Sequence, residues 1–121
     1  MADVLLWVGV AVLGGLGAVA RFLVDPTISV VSLRYPEHTL IVNVSGSAVL
    51  GLLAGAAVGG HAYLLLGTAL VGSYTTFSTW IYESERLAAH GHGALAALNL
   101  ALSVGAGFGA VELGHALASA L

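Results

Sequence analysis

TTFST, residues 75–79, interrupts an apolar segment that begins near Tyr63 and ends near Glu83. Four hydroxyl side chains and one aromatic ring stand together where lipid hydrocarbon offers no hydrogen-bond partner. Such a run is stable inside a membrane only where it faces protein, water or an ion. Gly, Ser and Thr are weak helix formers, and Ser and Thr hydroxyls bond backbone carbonyls. Together with the preceding Gly72 and Ser73, the run predicts a helix that is broken near its middle, at a functional site.

The composition is that of an integral membrane protein. Hydrophobic residues make up 59% of the 121 residues, charged residues only 7%, and the mean hydropathy is +1.01. A soluble domain carries about a quarter charged residues, because its surface faces water. Four helices of about 20 residues each, joined by short turns, use nearly the whole length. We therefore expect one all-α domain over residues 1–121, with four transmembrane helices surrounded by membrane lipid.

The same composition argues against several classes of function. The net charge is −3, there is no Lys and the three Arg residues are scattered, so nucleic acid is not an expected partner. The absence of Cys removes disulfides, thiolate metal sites and cysteine nucleophiles. No Ser–His–Asp, HExxH, Walker or dinucleotide-binding pattern is present, so the sequence does not indicate an enzyme.

Turns rich in Gly, Pro and charged residues separate the expected spans. The first apolar run lacks the basic region and cleavage site of a signal peptide, so we expect it to be retained as a helix. Asp25 and Pro26 would begin a short interfacial helix that ends near Leu33. From Asn43 to Gly59, small and polar residues recur every four positions, which favours tight helix–helix contact. The spans are expected at residues 4–23, 39–58, 63–83 and 94–113.

Two amide side chains, Asn43 and Asn99, lie near the middle of their spans. An amide buried in hydrocarbon without a partner costs about 4–8 kcal/mol on the harsher scales. Each therefore either bonds a neighbouring helix or lines a polar path with Ser47 or Ser103, one turn further on. No charged residue stands at the centre of a span, whereas a proton-coupled carrier normally needs a carboxylate there. Neutral amide and hydroxyl donors favour instead a pore that holds an anion without trapping it.

The aromatic and backbone groups around the hydroxyl run each have two interpretations. Phe77 and Trp80, three residues apart on one helix face, either pack against other helices or turn their positive ring edges toward an anion. The carbonyls between Gly72 and Thr75 either mark a simple kink or coordinate a hard cation such as Na⁺. Arg21, at the end of the first span, is expected to extend toward the membrane surface.

At these residues the chain resembles the small bacterial fluoride channels of the Fluc or CrcB family. The resemblance covers nearly the whole chain, with matching length and number of spans. Its patterns are GGxxGAxxR(Y/F), (F/Y)PxGTLxVN, GGxTTFST and a polar stripe on the fourth helix. The matching segments, in order, are GGLGAVARF at residues 14–22, YPEHTLIVN at residues 35–43, GSYTTFST at residues 72–79, and Asn99, Ser103 and Gly107.

The resemblance implies a passive, fluoride-selective channel that exports fluoride across the bacterial plasma (inner) membrane. It implies an antiparallel, dual-topology dimer with two fluoride pores and a structural Na⁺ at the centre. The backbone carbonyls of Gly72 and Thr75 would hold that Na⁺. The side chains that the resemblance places along the fluoride pore are Asn43, Thr76, Phe77, Ser78, Thr79, Trp80, Ser103 and Arg21.

Four positions depart from the family pattern. Trp80 stands where many members have a second Phe, and Ser73 replaces the second Gly of the break. His38 replaces a loop Gly, and Asn99 stands where some members have Tyr. Trp80 therefore changes the second aromatic contact that the resemblance implies at the pore.

The distribution of Arg residues bears on how subunits pair. With four spans, Arg21, Arg34 and Arg86 all fall on one side of the membrane, a bias that predicts a single orientation. A dual-topology homodimer is the first expectation, and one subunit of an obligate heterodimeric channel, non-conducting alone, is the alternative. A carrier of cationic drugs would need a carboxylate within the first span, where the sequence offers only Asp3 at its start.

Overall fold

The described part of the chain, residues 1–25 and 35–121 of a computed structural model, is entirely helical. The expected interfacial helix at residues 26–33, with Arg34 after it, lies outside the described residues. The helix at residues 60–74 is α-helical at both ends and π-helical at its centre, Leu64–Val71. The helices are α1 (Ala2–Val24), α2 (Glu37–Gly55), α3 (residues 60–74), α4 (Ser78–Ala89) and α5 (Gly93–Ser119).

Within those residues, α1, α2 and α5 are each long and apolar enough to cross a membrane. They confirm the first, second and fourth predicted spans. The third predicted span is divided into α3 and α4, which together form a bent helix with a break between residues 74 and 78. The all-helical fold and the interrupted third span were therefore predicted correctly.

Glycines allow α2 and α5 to pack closely. Gly51 lies against the backbone of Val111, and a Cβ at this position would overlap the Val111 carbonyl. One turn along, Gly55 meets the backbone of His115 in the same way. This contact confirms the tight helix–helix face predicted from the four-residue repeat of small residues.

The break changes which helix the third span packs against. α3 lies along α1, where a Cβ on Gly17 would overlap the hydroxyl of Ser73 and the carbonyl of Leu70. α4 packs on α5 instead. The break therefore lies between a helix pair formed by α1 and α3 and a group formed by α2, α4 and α5.

Few apolar side chains are buried within one copy of the chain. The buried apolar side chains of the described residues are Val42, Ala69, Val71, Leu87 and Ala96. Most large apolar side chains of α1 are exposed, including Trp7 at 61% and Leu16 at 53%. Such surfaces are stable against lipid or another protein rather than against water.

Two helices end in the same hydrogen-bonded turn, a Schellman motif. At the end of α2, the N–H of Val58 bonds the Leu53 carbonyl at 3.0 Å, and Ala57 has a φ of 58°. α4 ends in the same way around Gly91, whose φ is 83°. α2 therefore stops three residues before the predicted end of the second span, Val58.

Candidate functional site

The hydroxyl run satisfies the backbone groups that the break exposes. Thr75 takes an extended conformation, with φ −78° and ψ 163°. Its hydroxyl donates to the Val71 carbonyl at 3.1 Å, which also accepts the Thr75 N–H, and lies 3.5 Å from the Gly72 carbonyl, which the break deprives of its helical partner. The hydroxyl oxygen of Thr76 accepts the N–H of Thr79 at 3.2 Å, at the start of α4. This bond satisfies one of the N–H groups that the first turn of a helix leaves free. Two of the four hydroxyls therefore stabilise the ends of the broken helix.

The amide of Asn43, on α2, pairs with the backbone of Thr76 in both directions. Its Nδ2 donates to the Thr76 carbonyl at 2.8 Å, and its Oδ1 accepts the Thr76 N–H at 2.8 Å. That N–H is the one that an unbroken helix would donate to the Gly72 carbonyl. An amide nitrogen carries two N–H groups, so Asn43 retains one beyond this pairing. Of the two interpretations that the sequence left open for Asn43, the structure shows the bond to a neighbouring segment of the chain.

Two open pockets of about 350 and 300 Å³ adjoin the break. Asn43, Ser47 and Trp80 line both, so the two pockets share a wall. Thr76 and Phe77 belong to the first, and Ser103 to the second. Among the described residues that line them, none carries a charge. The pockets form a groove of amide, hydroxyl and aromatic groups on one side of the protomer.

The two aromatic side chains of this groove contact each other edge to face. The ring centroids of Phe77 and Trp80 are 5.6 Å apart, with an interplanar angle of 73°. Phe77 is 70% exposed, so its ring projects from the protomer. The indole N–H of Trp80 donates to the backbone carbonyl of Asn99 at 3.2 Å. The indole is thus attached to α5, whereas the phenyl ring is mostly exposed.

Arg21 lies beside the break. Its Nη1 donates to the Thr75 carbonyl in a long hydrogen bond of 3.5 Å. This is the carbonyl that leaves the helical ladder when Thr75 becomes extended. A positive charge therefore stands close to the opened backbone, at the end of α1.

A family model described as CrcB-like protein, Camphor Resistance (CrcB), matches residues 8–115. The chain belongs to the CrcB family. It is 47% identical over 119 residues to fluoride-specific ion channel FluC 2 of Mycolicibacterium paratuberculosis, covering 98% of each chain. It is 46% identical to FluC 2 of Mycobacterium bovis, over 95% of this chain and 92% of the relative. Similarity to FluC 1 of Streptomyces avermitilis is 46%, over 87% and 89% of the two chains.

Family membership and the apolar helices together define where the protein resides. A CrcB-family chain with three helices that can each span a membrane, and a fourth that is bent, is a multi-pass protein of the bacterial inner membrane. The sequence prediction of that location is confirmed.

The structure brings most of the predicted CrcB site residues together. Ser103 lines the second pocket, and Arg21 contacts Thr75 from α1. Ser78 and Thr79 form the first turn of α4 and line neither of the two pockets. The predicted site residues that line the first pocket are Asn43, Gly72, Thr75, Thr76, Phe77 and Trp80.

A polar cluster around the buried Thr39, one helical turn before Asn43 on α2 of this CrcB chain, was not predicted. The hydroxyl of Thr39 donates to Oε1 of Glu83 at 2.6 Å and also lies 3.4 Å from Oδ2 of Asp25. The sequence analysis placed Glu83 at the end of the third span, but its carboxylate is bonded to α2. Thr39 precedes Asn43 by one helical turn, and this spacing alone puts both on one face. Extending the polar stripe backward from Asn43 would therefore have found Thr39.

Proposed function

We propose that this chain forms a passive channel selective for fluoride. The observation that carries the proposal is the groove at the break, where Asn43 and the aromatic pair Phe77 and Trp80 line a pocket whose described residues include no charged side chain. The relatives named as fluoride-specific ion channels support it, since they match nearly the whole chain. Because a cell interior is electrically negative, passive conduction of an anion runs outward and exports it.

The groove has the chemistry that a conducted anion requires. An amide N–H, hydroxyl groups and the positive edges of aromatic rings replace part of a hydration shell. They carry no full charge, so the ion binds weakly enough to leave again. In this proposal Asn43, Phe77 and Ser103 contact fluoride, with Thr76 and Trp80 completing the wall. Ser78, Thr79 and Arg21 lie along the approach to it.

The open groove supports a dimeric channel. Each pocket is open along the side of the protomer, and Phe77 projects from it. A second copy placed antiparallel would close two such grooves into two pores, and it would cover part of the exposed apolar surface. We propose a dual-topology homodimer as the functional unit.

A structural Na⁺ at the dimer centre is part of the proposal. Gly72 and Thr75 would supply backbone carbonyl oxygens, which are ligands suited to a hard cation. Asn43 takes the N–H that would otherwise bond the Gly72 carbonyl, which keeps only a long contact of 3.5 Å to the Thr75 hydroxyl. The extended Thr75 turns its carbonyl out of the helix, where its contact is the equally long bond from Arg21, so Na⁺ binding would require Arg21 to withdraw from it. Replacing Na⁺ by N-methylglucamine throughout purification should then dissociate the dimer and abolish fluoride flux. An unchanged dimer in the absence of Na⁺ would contradict the Na⁺ site.

Fluoride efflux from liposomes tests the channel directly. Vesicles that contain this chain alone, loaded with potassium fluoride or potassium chloride, are given valinomycin to carry the counter-charge. Fluoride should leave at once, while chloride should leave only at the rate of protein-free vesicles. Equal efflux of both anions would contradict fluoride selectivity.

A subunit that conducts only with a different partner is the second candidate. The one-sided Arg residues of the sequence favour it, and so do relatives that carry the numbered names FluC 1 and FluC 2. In that case this chain alone gives no fluoride efflux, and co-reconstitution with the paired chain restores it. Efflux from this chain alone would exclude this second candidate.

A further inference from the structure

Trp80, Ser84 and Asn99 form a closed ring of hydrogen bonds between α4 and α5. The Trp80 indole N–H donates to the backbone carbonyl of Asn99 at 3.2 Å. Nδ2 of the Asn99 side chain donates to the Ser84 hydroxyl at 2.8 Å. The Ser84 hydroxyl in turn donates to the Trp80 backbone carbonyl at 2.9 Å. Asn99 therefore binds both the side chain of Trp80 and, through Ser84, its backbone.

This ring of hydrogen bonds determines which part of the indole faces the groove. Trp80 lines both pockets, whereas Asn99 is fully buried, at 0% exposure, and lines neither. The N–H thus points toward the interior of the α4–α5 contact and away from the ion path. What remains at the groove is the carbon framework of the indole, together with the edge contact to Phe77.

The amide of the buried Asn99 makes one specific hydrogen bond, the one to Ser84. Among the described residues, its Oδ1 has no hydrogen-bond partner. An unpartnered buried acceptor is unfavourable, so packing alone does not favour an amide at this position. Because the Ser84 hydroxyl donates its hydrogen to Trp80, only its lone pairs are available to Asn99, and this requires the N–H₂ side of the amide. The bond to Ser84 is therefore the contact that the amide side chain makes.

We propose that Asn99 and Ser84 are positioning residues that keep the Trp80 N–H away from the permeating anion. This inference rests on the proposed fluoride channel. An indole N–H is a donor only, and at the groove it would add a further donor to the Asn43 amide and the hydroxyl groups, and so hold a halide more strongly than aromatic edges alone do. Withdrawing it keeps fluoride binding weak enough for rapid passage. The three hydrogen bonds among Trp80, Ser84 and Asn99 thus allow a Trp to stand in the groove without adding its N–H to the groove's donors.

Tryptophan emission provides a readout that a merely structural role would not change. Trp7, the other tryptophan of the chain, is 61% exposed on α1, so the Trp7→Phe protein reports on Trp80 alone. In that protein, fluoride should leave the Trp80 emission nearly unchanged, because the N–H is already bonded. Ser84→Ala and Asn99→Leu leave the Asn99 backbone carbonyl in place but remove the side-chain bond that holds α4 against α5 where the indole N–H reaches that carbonyl. In these versions of the Trp7→Phe protein, fluoride should therefore shift or quench the emission. Ser119→Ala, at the far end of α5, is the control.

The flux measurements form a double-mutant cycle. Ser84→Ala and Asn99→Leu should each lower the half-saturating fluoride concentration by about threefold, the effect of one modest hydrogen bond, and reduce the maximum flux. In a Trp80→Phe background, which has no indole N–H, neither substitution should change half-saturation. Equal effects in both backgrounds would show a structural role only and overturn the proposal.

The two proposals fail in distinguishable ways. If the unmodified chain carries no fluoride, the proposed channel fails, while the emission experiment still shows whether the N–H is shielded. If the chain conducts but both substitutions leave half-saturation unchanged, the positioning role fails alone. Should neither variant fold, the Trp7→Phe protein decides, since a halide-induced shift of its Trp80 emission would show an accessible N–H and overturn the inference.

Discussion

At the scale of single residues, Asn43 combines two tasks that the sequence presented as alternatives. Its amide holds the backbone of Thr76 through two bonds of 2.8 Å, and the same side chain lines the groove. Phe77, by contrast, contributes little to the stability of the protomer, because its side chain is 70% exposed. Stability and conduction should therefore separate between these two positions.

Asn43→Ala should impair both stability and conduction. It leaves the N–H and the carbonyl of Thr76 unpartnered, at a cost of about 1–3 kcal/mol each. The free energy of unfolding should fall by about 2–6 kcal/mol, and fluoride flux should fall as well. Thermal unfolding in detergent and liposome efflux measure the two quantities.

Phe77→Ala provides the comparison. We expect it to reduce fluoride flux by about tenfold or more, equivalent to about 1.4 kcal/mol, while the unfolding temperature of the protomer changes little. The same two assays apply. Normal flux in this variant would show that the exposed phenyl ring plays no part in conduction.

Ala57→Gly should stabilise the protein. The φ of 58° places Ala57 in the left-handed region, which costs an L-residue about 1–2 kcal/mol and Gly nothing. Since Gly loses more entropy on folding, the net gain should be about 0.5–1 kcal/mol. Thermal unfolding would measure it. Ala56→Gly is the matched control, because Ala56 has a φ of −80° and should gain nothing.

At the scale of helices, close contact between α1 and α3 sets the position of the break. Gly17 meets Ser73 and Leu70 directly, and Ser73 is two residues before the extended Thr75. The first block of the family resemblance, residues 14–22, therefore includes a packing position for the site.

Gly17→Ala should displace α3 from α1. Its Cβ would overlap the Leu70 carbonyl, which cannot move independently of the helix, and overpacking of this kind costs about 1–3 kcal/mol. Gly15→Ala, two residues earlier, is the control. Its Cβ meets nothing within 4 Å, so the protomer should gain up to about 1 kcal/mol of helix propensity. Equal unfolding temperatures for the two variants would contradict this packing.

The sequence predicted the elements better than the connections between them. Hydropathy and the hydroxyl run were enough for the helices and the break, because both follow from local chemistry and the lipid surroundings. The bonds from Thr39 to Glu83 and from Asn99 to Ser84 join residues 44 and 15 positions apart. Which helices meet is decided by packing across the whole chain, so no local pattern showed these pairs. The early end of α2 depended on a left-handed Ala, which propensity does not favour.

At the scale of the whole molecule, the orientation of the chain distinguishes the two assemblies. His61→Cys in the exposed first turn of α3 would introduce the sole thiol, because the chain has no Cys. In intact cells, a membrane-impermeant maleimide should label about half of the protein if the chain inserts both ways. Complete labelling or none would indicate a single orientation and contradict the dual-topology homodimer.

The bond between Asn43 and Thr76 has a consequence for how opening of the molecule is observed. The Thr76 amide hydrogen is held by a side chain of another helix rather than by its own helix. Its exchange with deuterium therefore requires α2 to separate from the break, whereas fraying of α3 or α4 alone does not release it. The exchange rate of this single backbone amide thus measures how often the α1–α3 pair separates from the rest of the bundle. Conditions that change conduction by loosening this junction should accelerate exchange at Thr76 before exchange in the helical interiors.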